Sequence, residues 1–400
     1  MAFGYNIDQR KINKRNFIID LFRQQGLLSK AQAKDLSGYS MDTVLSIFSS
    51  LQEDGLIEEA DGKQKPKGRR ATFFKLKSRE VLYLGITYNQ GGIFSSVVSF
   101  SDEIVLTHAT GLEMGISEAS FTESFLDHLN EVVAMLGDEK SQLAAIGCSV
   151  PGGRDSESGL VLRYTFMPFT EAIDFRSLIE KAFPGKSVQV EQNAQSMASY
   201  FLHDSELMEK YERILFISSR AGTVSGLIFN GKVVAGNGEF GHIRVSDDPA
   251  GCVCGRKGCL DCYFSLQSFS ELLYQRGLVD RAAVKEGTAD LSPLADLYSK
   301  GEDEIVNELD RRLAFFCSAM LDVINVTVPD LVILSGELLA IYGEADKRIR
   351  EIVAERFPDS GFVRHYEKSE IIFSGLGPEM AAQGICYRMV REEWEYIGET

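Results

Sequence analysis

A short cluster of His and Cys residues in the second half of the chain constrains the fold more than any other feature. His242 is followed by Cys252, Cys254 and Cys259, with glycines between the last two. One imidazole and three thiolates complete the tetrahedral ligand set of a structural zinc ion and leave no open coordination position. The spacing therefore predicts a loop ordered by structural Zn²⁺. A redox pair or free thiols are the alternatives, and Cys262 competes as a ligand.

Length and composition are those of a multidomain soluble protein. The 400 residues predict two or three domains, with 44% hydrophobic and 25% charged residues. No uncharged apolar run approaches the roughly 18 residues that span a bilayer, and Met1 to Arg15 lacks the apolar segment of a secretory signal. We expect a cytoplasmic chain with no membrane partner. Cys148, Cys317 and Cys386 lie in apolar contexts and are expected in the core.

Charge divides the chain into two parts. Residues 1–78 contain 14 Lys and Arg against 9 Asp and Glu, whereas residues 79–400 contain 28 against 49. A phosphate backbone attracts local positive charge, so an acidic protein can still carry a basic nucleic-acid-binding module. The distribution predicts such a module at 1–78, with chance fluctuation as the alternative.

The basic segment has the element order of a winged helix-turn-helix. A first helix is followed by a short one that begins after Ser29, and Ser40 begins a third that ends before Gly55. Leu56–Ile57 and Thr72–Leu76 then read as two short strands. In this motif the third helix enters the major groove of DNA.

Residues predicted to contact DNA lie at the starts of the second and third helices and in the basic stretch between the strands. They are Lys30, Ser40, Met41, Thr43, Ser46, Lys67, Arg69 and Arg70. No Lys or Arg occurs between Lys34 and Lys63, so positive charge must come from either side of the third helix. A flexible basic stretch of this kind follows phosphates or enters a narrow minor groove. The alternative is a solvated linker.

Beyond Val81 the pattern is that of an α/β protein. Short apolar β-rich runs alternate with helical stretches, and Asn230-Gly231 predicts a hairpin turn. Two β-rich starts lie about 130 residues apart. We expect lobes at 79–205 and 206–400, with the last helix returning to the first lobe.

The stretch from Glu239 to Asp261 strongly resembles the ROK family of sugar kinases and sugar-responsive repressors. It reads Glu-Phe-Gly-His, then Cys-x-Cys-Gly-x-x-Gly-Cys-x-Asp. The similarity includes Gly68-Arg69, Pro151-Gly152 and Ser335-Gly336, and so covers nearly the whole chain. It is greatest to the repressor branch, which includes xylose and N-acetylglucosamine repressors. The resemblance implies an actin-like (ribonuclease H-like) two-lobed sugar kinase fold behind the winged helix-turn-helix.

The resemblance also implies a ligand and an assembly. By motif position Asn193, Glu239, His242 and Asp261 would face a sugar between the lobes, with zinc ordering the wall of the cleft. Asp261 replaces a glutamate of the family and is one methylene shorter, which bears on the identity of the sugar. A homodimer or dimer of dimers would place two DNA-binding units on one operator. For Glu239 and Asp261, the alternative is a supporting or surface role. A further alternative is that the pocket is vestigial and the effector is a sugar phosphate, another protein or nothing.

Departures from the kinase pattern predict that the chain is not an enzyme. Family kinases carry Asp-x-Gly-Gly-Thr near the first strand, but Gly85–Gly92 has no aspartate, and the second phosphate loop is degenerate at Ser219–Gly226. The family's catalytic aspartate falls at Asn193, and an amide cannot take a proton from a sugar hydroxyl at neutral pH. The leading interpretation is a sugar-responsive repressor of carbohydrate genes. The alternatives are an active ATP-dependent carbohydrate kinase with a DNA-binding head and a zinc-stabilised DNA-binding scaffold without a small-molecule ligand.

Overall fold

The computed structural model contains three β-sheets and the helices that cover them. It describes residues 7–60, 71–77, 81–113, 115–153, 160–161, 167, 169, 171–234, 238–248, 250–286, 289–356, 366, 368–377 and 379–396. Within these ranges, no helix is both long enough and apolar enough to cross a bilayer.

The N-terminal part, here called the head, consists of three helices and a small sheet. Its helices are α1 (Ile7–Gln25), α2 (Lys30–Ser37) and α3 (Met41–Glu53), and its strands are β1 (Leu28–Ser29), β2 (Ile57–Ala60) and β3 (Phe73–Leu76). Strand order is β1-β3-β2, with both pairs antiparallel. As predicted, Ser29 and Ser40 cap α2 and α3, each accepting a backbone N–H bond from the residue three positions on. Gly38 has φ 68° and ends α2 in the left-handed conformation.

Lobe 1 is a five-stranded sheet covered by helices. Its elements are β4 (Leu82–Asn89), β5 (Gly92–Ser99), β6 (Ile104–Gly111), α4 (Glu118–Leu136), β7 (Leu143–Val150), α5 (Phe175–Ala182) and β8 (Ser187–Gln192). Strand order is β6-β5-β4-β7-β8; the hairpin strands are antiparallel, and β7 is parallel to both β4 and β8. Phe121, Phe125 and Phe175 are completely buried between the sheet and α4 and α5. Parallel strands β4, β7 and β8 therefore end at one edge, which faces the second lobe.

Lobe 2 repeats this strand order. Two short helices, α6 (Asn193–Ser199) and α7 (Ser205–Lys210), connect the lobes. The elements of lobe 2 are β9 (Arg213–Ser219), β10 (Thr223–Phe229), β11 (Lys232–Val233), α8 (Leu266–Gln275), α9 (Arg281–Glu286), α10 (Ser292–Ser299), α11 (Asp303–Thr327), β12 (Leu331–Ser335), α12 (Glu337–Ala340), α13 (Ala345–Arg356) and β13 (Glu370–Ser374). Strand order is β11-β10-β9-β12-β13. The predicted hairpin turn at Asn230-Gly231 is confirmed, and both residues have positive φ. Two sheets of one order, each a three-stranded hairpin unit followed by parallel strands, form the actin-like fold.

A final helix, α14 (Met380–Tyr396), lies against the sheet of lobe 1 and against α6. Its buried residues Cys386, Tyr387 and Val390 belong to the same apolar cluster as Phe22 and Phe48 of the head. The head therefore packs on the body through a continuous core.

Candidate functional site

A cleft of about 900 Å³ lies between the two lobes. Lobe 1 lines it with the ends of β4, β7 and β8, including Thr87 and Gln192, and lobe 2 lines it with the turn between β9 and β10 and the Cys loop. All four predicted sugar-facing residues are part of this lining: Asn193, Glu239, His242 and Asp261. The topology thus brings together residues spread over about 70 positions of the chain.

The predicted metal ligands converge on one wall of the cleft. The ligand atoms of His242, Cys252, Cys254 and Cys259 all lie within 4.8 Å of one another. His242 Nδ1 is 3.5 Å from Cys252 Sγ, and the sulfurs of Cys254 and Cys259 are 3.7 Å apart. Burial opposes ionisation of Cys254, but hydrogen bonds from Arg256 lower its pKa to about 7. These three sulfurs and one nitrogen are close enough together to hold a metal ion.

His242 connects this cluster to the cleft. One ring nitrogen faces Cys252, and the other, Nε2, lies 3.8 Å from Oε2 of Glu239. The short 3₁₀ turn Phe240–His242 produces this placement because it puts Glu239 and His242 three residues apart on one side. A ligating imidazole whose second nitrogen faces a carboxylate is held in one tautomer and orientation. The side chain of Glu239 is 46% exposed and so remains accessible from the cleft.

Asp261 contacts the turn between β9 and β10 as well as the cleft. Its Oδ1 accepts the backbone N–H of Thr223 at 3.0 Å, and a side chain at Gly222 would bring Cβ within 2.9 Å of Oδ2. A side chain at Gly241 would overlap the same carboxylate. Burial raises the pKa of Asp261 to about 7, and the charge of Glu239 adds to the increase. Asp261 therefore supports the turn between β9 and β10 in addition to lining the cleft.

Asn193 and Thr87 line the side of the cleft that lobe 1 forms. Asn193 is the first residue of α6, directly after β8. The hydroxyl of Thr87 donates to the carbonyl of Ser149 at 2.9 Å, and this hydrogen bond links β4 to β7. An amide and a hydroxyl at these places can donate and accept hydrogen bonds, but neither carries a carboxylate charge.

Gln192 and Arg220 are cleft residues that the sequence reasoning did not single out. Gln192 is buried, and its Nε2 donates to Oε1 of Glu239 at 3.0 Å, which joins lobe 1 to lobe 2 across the cleft. Arg220 lines the cleft and donates to the carbonyl of Leu376 at 2.5 Å. The available signal was the position of Gln192 one residue before Asn193, which the family motif places at the sugar.

The head places the predicted DNA contacts in two different environments. Met41 is 37% exposed at the start of α3, and Ser46 is exposed one turn later. The hydroxyls of Ser40 and Thr43 are 2.9 Å apart, and the Ser40 hydroxyl also caps the helix. Leu45, 41% exposed on the same helix, was not predicted.

Lys30 is a partly buried residue of the head. Its ammonium lies 5.2 Å from the ring centre of Phe74 and 5.9 Å from that of Phe48, so it covers the aromatic core. Lys67, Arg69 and Arg70 lie outside the described residues.

A second His cluster lies on lobe 1, between β6 and α4. His108 Nε2 is 2.7 Å from Glu131 Oε2, and buried His128 has Ser95 and Thr110 hydroxyls 2.7 Å from its two nitrogens. Burial, followed by the charge of His108, lowers the pKa of His128 to about 4. With each nitrogen of His128 bound to a hydroxyl, the group is a hydrogen-bonded network that links the sheet to the helix.

Comparison with known proteins agrees with this geometry. The chain is 22% identical over 381 residues to the xylose repressor of Bacillus spizizenii, covering 94% of each chain. It is 29% identical over 266 residues to the N-acetyl-D-glucosamine kinase of Vibrio atlanticus, covering 60% of this chain and 84% of the kinase. The crystal structure of a ROK family transcriptional regulator, a homologue of the E. coli MLC protein, matches with a TM-score of 0.76 at 18% identity. The match covers 98% of this chain and 99% of that one.

The structural match at this identity establishes the fold, and the two sequence relatives divide between regulation and catalysis. The family model for ROK matches residues 101–389, which is most of the chain. The protein therefore belongs to the ROK family.

Proposed function

We propose that the protein is a sugar-responsive, DNA-binding transcription regulator that represses carbohydrate-utilisation genes and has lost kinase activity. Residues 1–78 form a winged helix-turn-helix that binds operator DNA, and 79–205 and 206–400 form the lobes that bind the sugar. The observation that carries the proposal is Asn193 in the cleft of a chain whose head consists of three helices and a small antiparallel sheet. The likeness to a xylose repressor over 94% of both chains supports it.

The chemistry of the cleft favours binding over phosphoryl transfer. A general base contributes about 10² to 10⁴ in rate, and the amide of Asn193 cannot supply it. Glu239 and His242 still offer a charged acceptor and a ring nitrogen, groups that recognise sugar hydroxyls. The cleft can therefore still bind sugar hydroxyls although the catalytic base is absent.

In this proposal a structural Zn²⁺ is held by His242, Cys252, Cys254 and Cys259. The donor set fits, because three thiolates and one imidazole within 4.8 Å of one another are typical ligands of a closed zinc site. When bound, zinc supplies no reaction chemistry; it orders the loop. His242 then holds Glu239 in place for the sugar.

DNA contacts in this proposal come from Lys30, Ser40, Met41, Thr43 and Ser46 and from the basic stretch with Lys67, Arg69 and Arg70. A homodimer or dimer of dimers would place two heads on one operator. Since α3 carries no Lys or Arg, phosphate contacts from the basic stretch would supply most of the affinity.

The test is operator binding with and without sugars. Fluorescence anisotropy on fragments upstream of neighbouring carbohydrate genes, with a panel of pentoses, hexoses and amino sugars, should show one sugar that weakens DNA binding. Glu239→Gln should weaken binding of that sugar by about 10- to 100-fold, since a hydrogen bond to a charged group is lost. Glu344→Gln, whose side chain is 80% exposed outside the cleft lining, is the matched control. Operator binding that no sugar in the panel alters would contradict the proposal.

A kinase is the second candidate, favoured by the 29% identity to an N-acetyl-D-glucosamine kinase. An ADP-release assay over the same panel separates the two. Turnover near the 1 to 100 per second that is usual for kinases would show that Asn193 does not abolish catalysis. It would reject the proposal that the protein is a regulator without kinase activity.

A further inference from the structure

Helix α14 contacts all three parts of the molecule. Its first residues, Met380 and Ala381, are buried in the core of lobe 2. Its later residues belong to the core that lobe 1 shares with the head: Cys386, Tyr387, Met389 and Val390. One continuous helix therefore contacts both lobe 2 and the head.

The contacts along α14 leave little freedom for it to slide independently. Gly85 of β4 lies so close to the helix that a side chain there would overlap the carbonyl of Ala382. At Gly384 a Cβ would overlap the carbonyl oxygen of Ser196 in α6 and lie 2.8 Å from the backbone nitrogen of Tyr200. Backbone packed against backbone transmits displacement because no flexible side chain absorbs it.

At the cleft, α14 is joined to the strand end that carries the candidate sugar residues. The guanidinium of Arg388 donates to Oε2 of Glu191 at 2.6 Å and to Oε1 of Gln195 at 3.1 Å. These two residues flank Gln192 and Asn193, and Gln192 reaches Glu239 of lobe 2. A ligand that changes the Gln192–Glu239 contact therefore acts one residue from the Arg388 contact.

At the head, α14 is joined to α1 through one carboxylate. Arg391 donates two hydrogen bonds to Asp102, at 3.1 and 2.8 Å, and Arg23 of α1 places its Nε 3.4 Å from the same carboxylate. Arg23 also donates to the carbonyl of Phe100 at 3.2 Å. The Asp102 side chain is only 12% exposed, in the turn between β5 and β6, where its φ is 65°. Lobe 1, α14 and the head thus meet at Asp102.

We infer that Asp102 is the positioning residue through which sugar binding in the cleft alters the orientation of the DNA-binding head. Closure of the lobes changes the packing of lobe 2 against Met380 and Ala381 of α14, and the contacts of Asp102 with Arg391 and Arg23 transmit that change to α1. The inference rests on the proposed function and names how its regulation is carried. The joint contacts neither sugar nor DNA, so its loss should remove the coupling and leave each binding site intact.

The test compares coupling in wild type and Asp102→Asn. Asparagine keeps the shape and tolerates positive φ, but lacks the charge that holds both arginines. Operator affinity without sugar and sugar affinity without operator should stay within about threefold of wild type, while the effect of sugar on operator affinity falls from about tenfold or more to below about threefold. Reciprocity gives a second readout, because operator must alter sugar affinity by the same factor.

Two further variants make the result specific. Asp54→Asn removes another carboxylate that pairs with α1, through Arg15, but it lies within the head and should leave the coupling unchanged. Arg388→Gln removes the ion pair of α14 with Glu191 beside the cleft and should weaken the coupling as Asp102→Asn does. This variant also provides the test if Asp102→Asn does not fold.

The outcomes separate the inference from the proposed function. If operator binding of the wild type responds to no sugar, both are overturned. If the wild type responds and the folded Asp102→Asn and Arg388→Gln proteins respond equally, only the role of the joint is overturned. Loss of operator binding in Asp102→Asn without sugar would show a structural role instead and would also reject it.

Discussion

Replacing Gly384 by alanine tests the close backbone crossing between α14 and α6. A Cβ at this position of α14 would overlap the carbonyl oxygen of Ser196, lie 2.9 Å from its carbonyl carbon and lie 2.8 Å from the nitrogen of Tyr200. Nonbonded carbons prefer about 3.5 to 4.0 Å, so α14 and α6 must separate by on the order of 1 Å.

We expect Gly384→Ala to lower the free energy of unfolding, although helix propensity alone would predict an increase. Alanine in a helix interior is favoured over glycine by about 1 kcal/mol, so an uncrowded site would gain stability. Overpacking costs about 1 to 3 kcal/mol, and the upper value applies here because every overlapping atom is backbone. At 2 to 4 °C per kcal/mol, a net loss near 2 kcal/mol lowers Tm by roughly 4 to 8 °C.

Thermal unfolding followed by circular dichroism measures this change. Gly375→Ala is the control, because a Cβ there meets nothing within 4 Å and the backbone has no positive φ. It should change Tm by less than about 2 °C. A Gly384→Ala protein as stable as the wild type, or more stable, would refute the close crossing and with it the argument that α14 cannot slide.

Three further predictions concern other parts of the molecule. The pKa of buried His128 is lowered to about 4, whereas the ring in the unfolded chain titrates near 6.5. Between these two pH values the unfolded state binds one more proton than the folded state. The free energy of unfolding should therefore fall by up to about 3 kcal/mol as the pH drops from 6.5 to 4. His128→Gln should lose this pH dependence in thermal unfolding, and an NMR titration should show the ring of His128 still neutral at about pH 5. Cys252→Ser should lose bound zinc by elemental analysis and weaken sugar binding, because His242 would no longer be held; zinc retained at wild-type stoichiometry would contradict the ligand set. Ser40→Ala should destabilise the head by about 1 kcal/mol, seen as faster hydrogen exchange in α3, whereas Ser40→Asp should preserve the cap.

Features set by neighbouring residues were predictable from the sequence. Ser29 and Ser40 cap their helices because a hydroxyl reaches a backbone N–H only three residues away. The turn at Asn230-Gly231 follows from residues that adopt positive φ at low cost. The four metal-ligand candidates also lie within one short stretch, so their convergence required only local folding of a loop.

Contacts between distant segments were not predictable in the same way. The sequence did not indicate that Lys30, which stays a predicted DNA contact, lies over the rings of Phe48 and Phe74. Strand β1 was not predicted, because its two residues form a strand only by pairing with Phe73 and Phe74. No periodicity or composition distinguishes such residues until their partners are known.

The sequence by itself determined the three helices of the head, the α/β class and the set of candidate metal ligands, because caps, turns and apolar periodicity act over a few residues. Only the tertiary structure decided that Gln192 meets Glu239 across the cleft and that Asp102 joins Arg23 to Arg391, which lies 289 residues further along the chain. Such pairs depend on how sheets and helices pack, and packing selects partners by shape and burial rather than by distance along the chain.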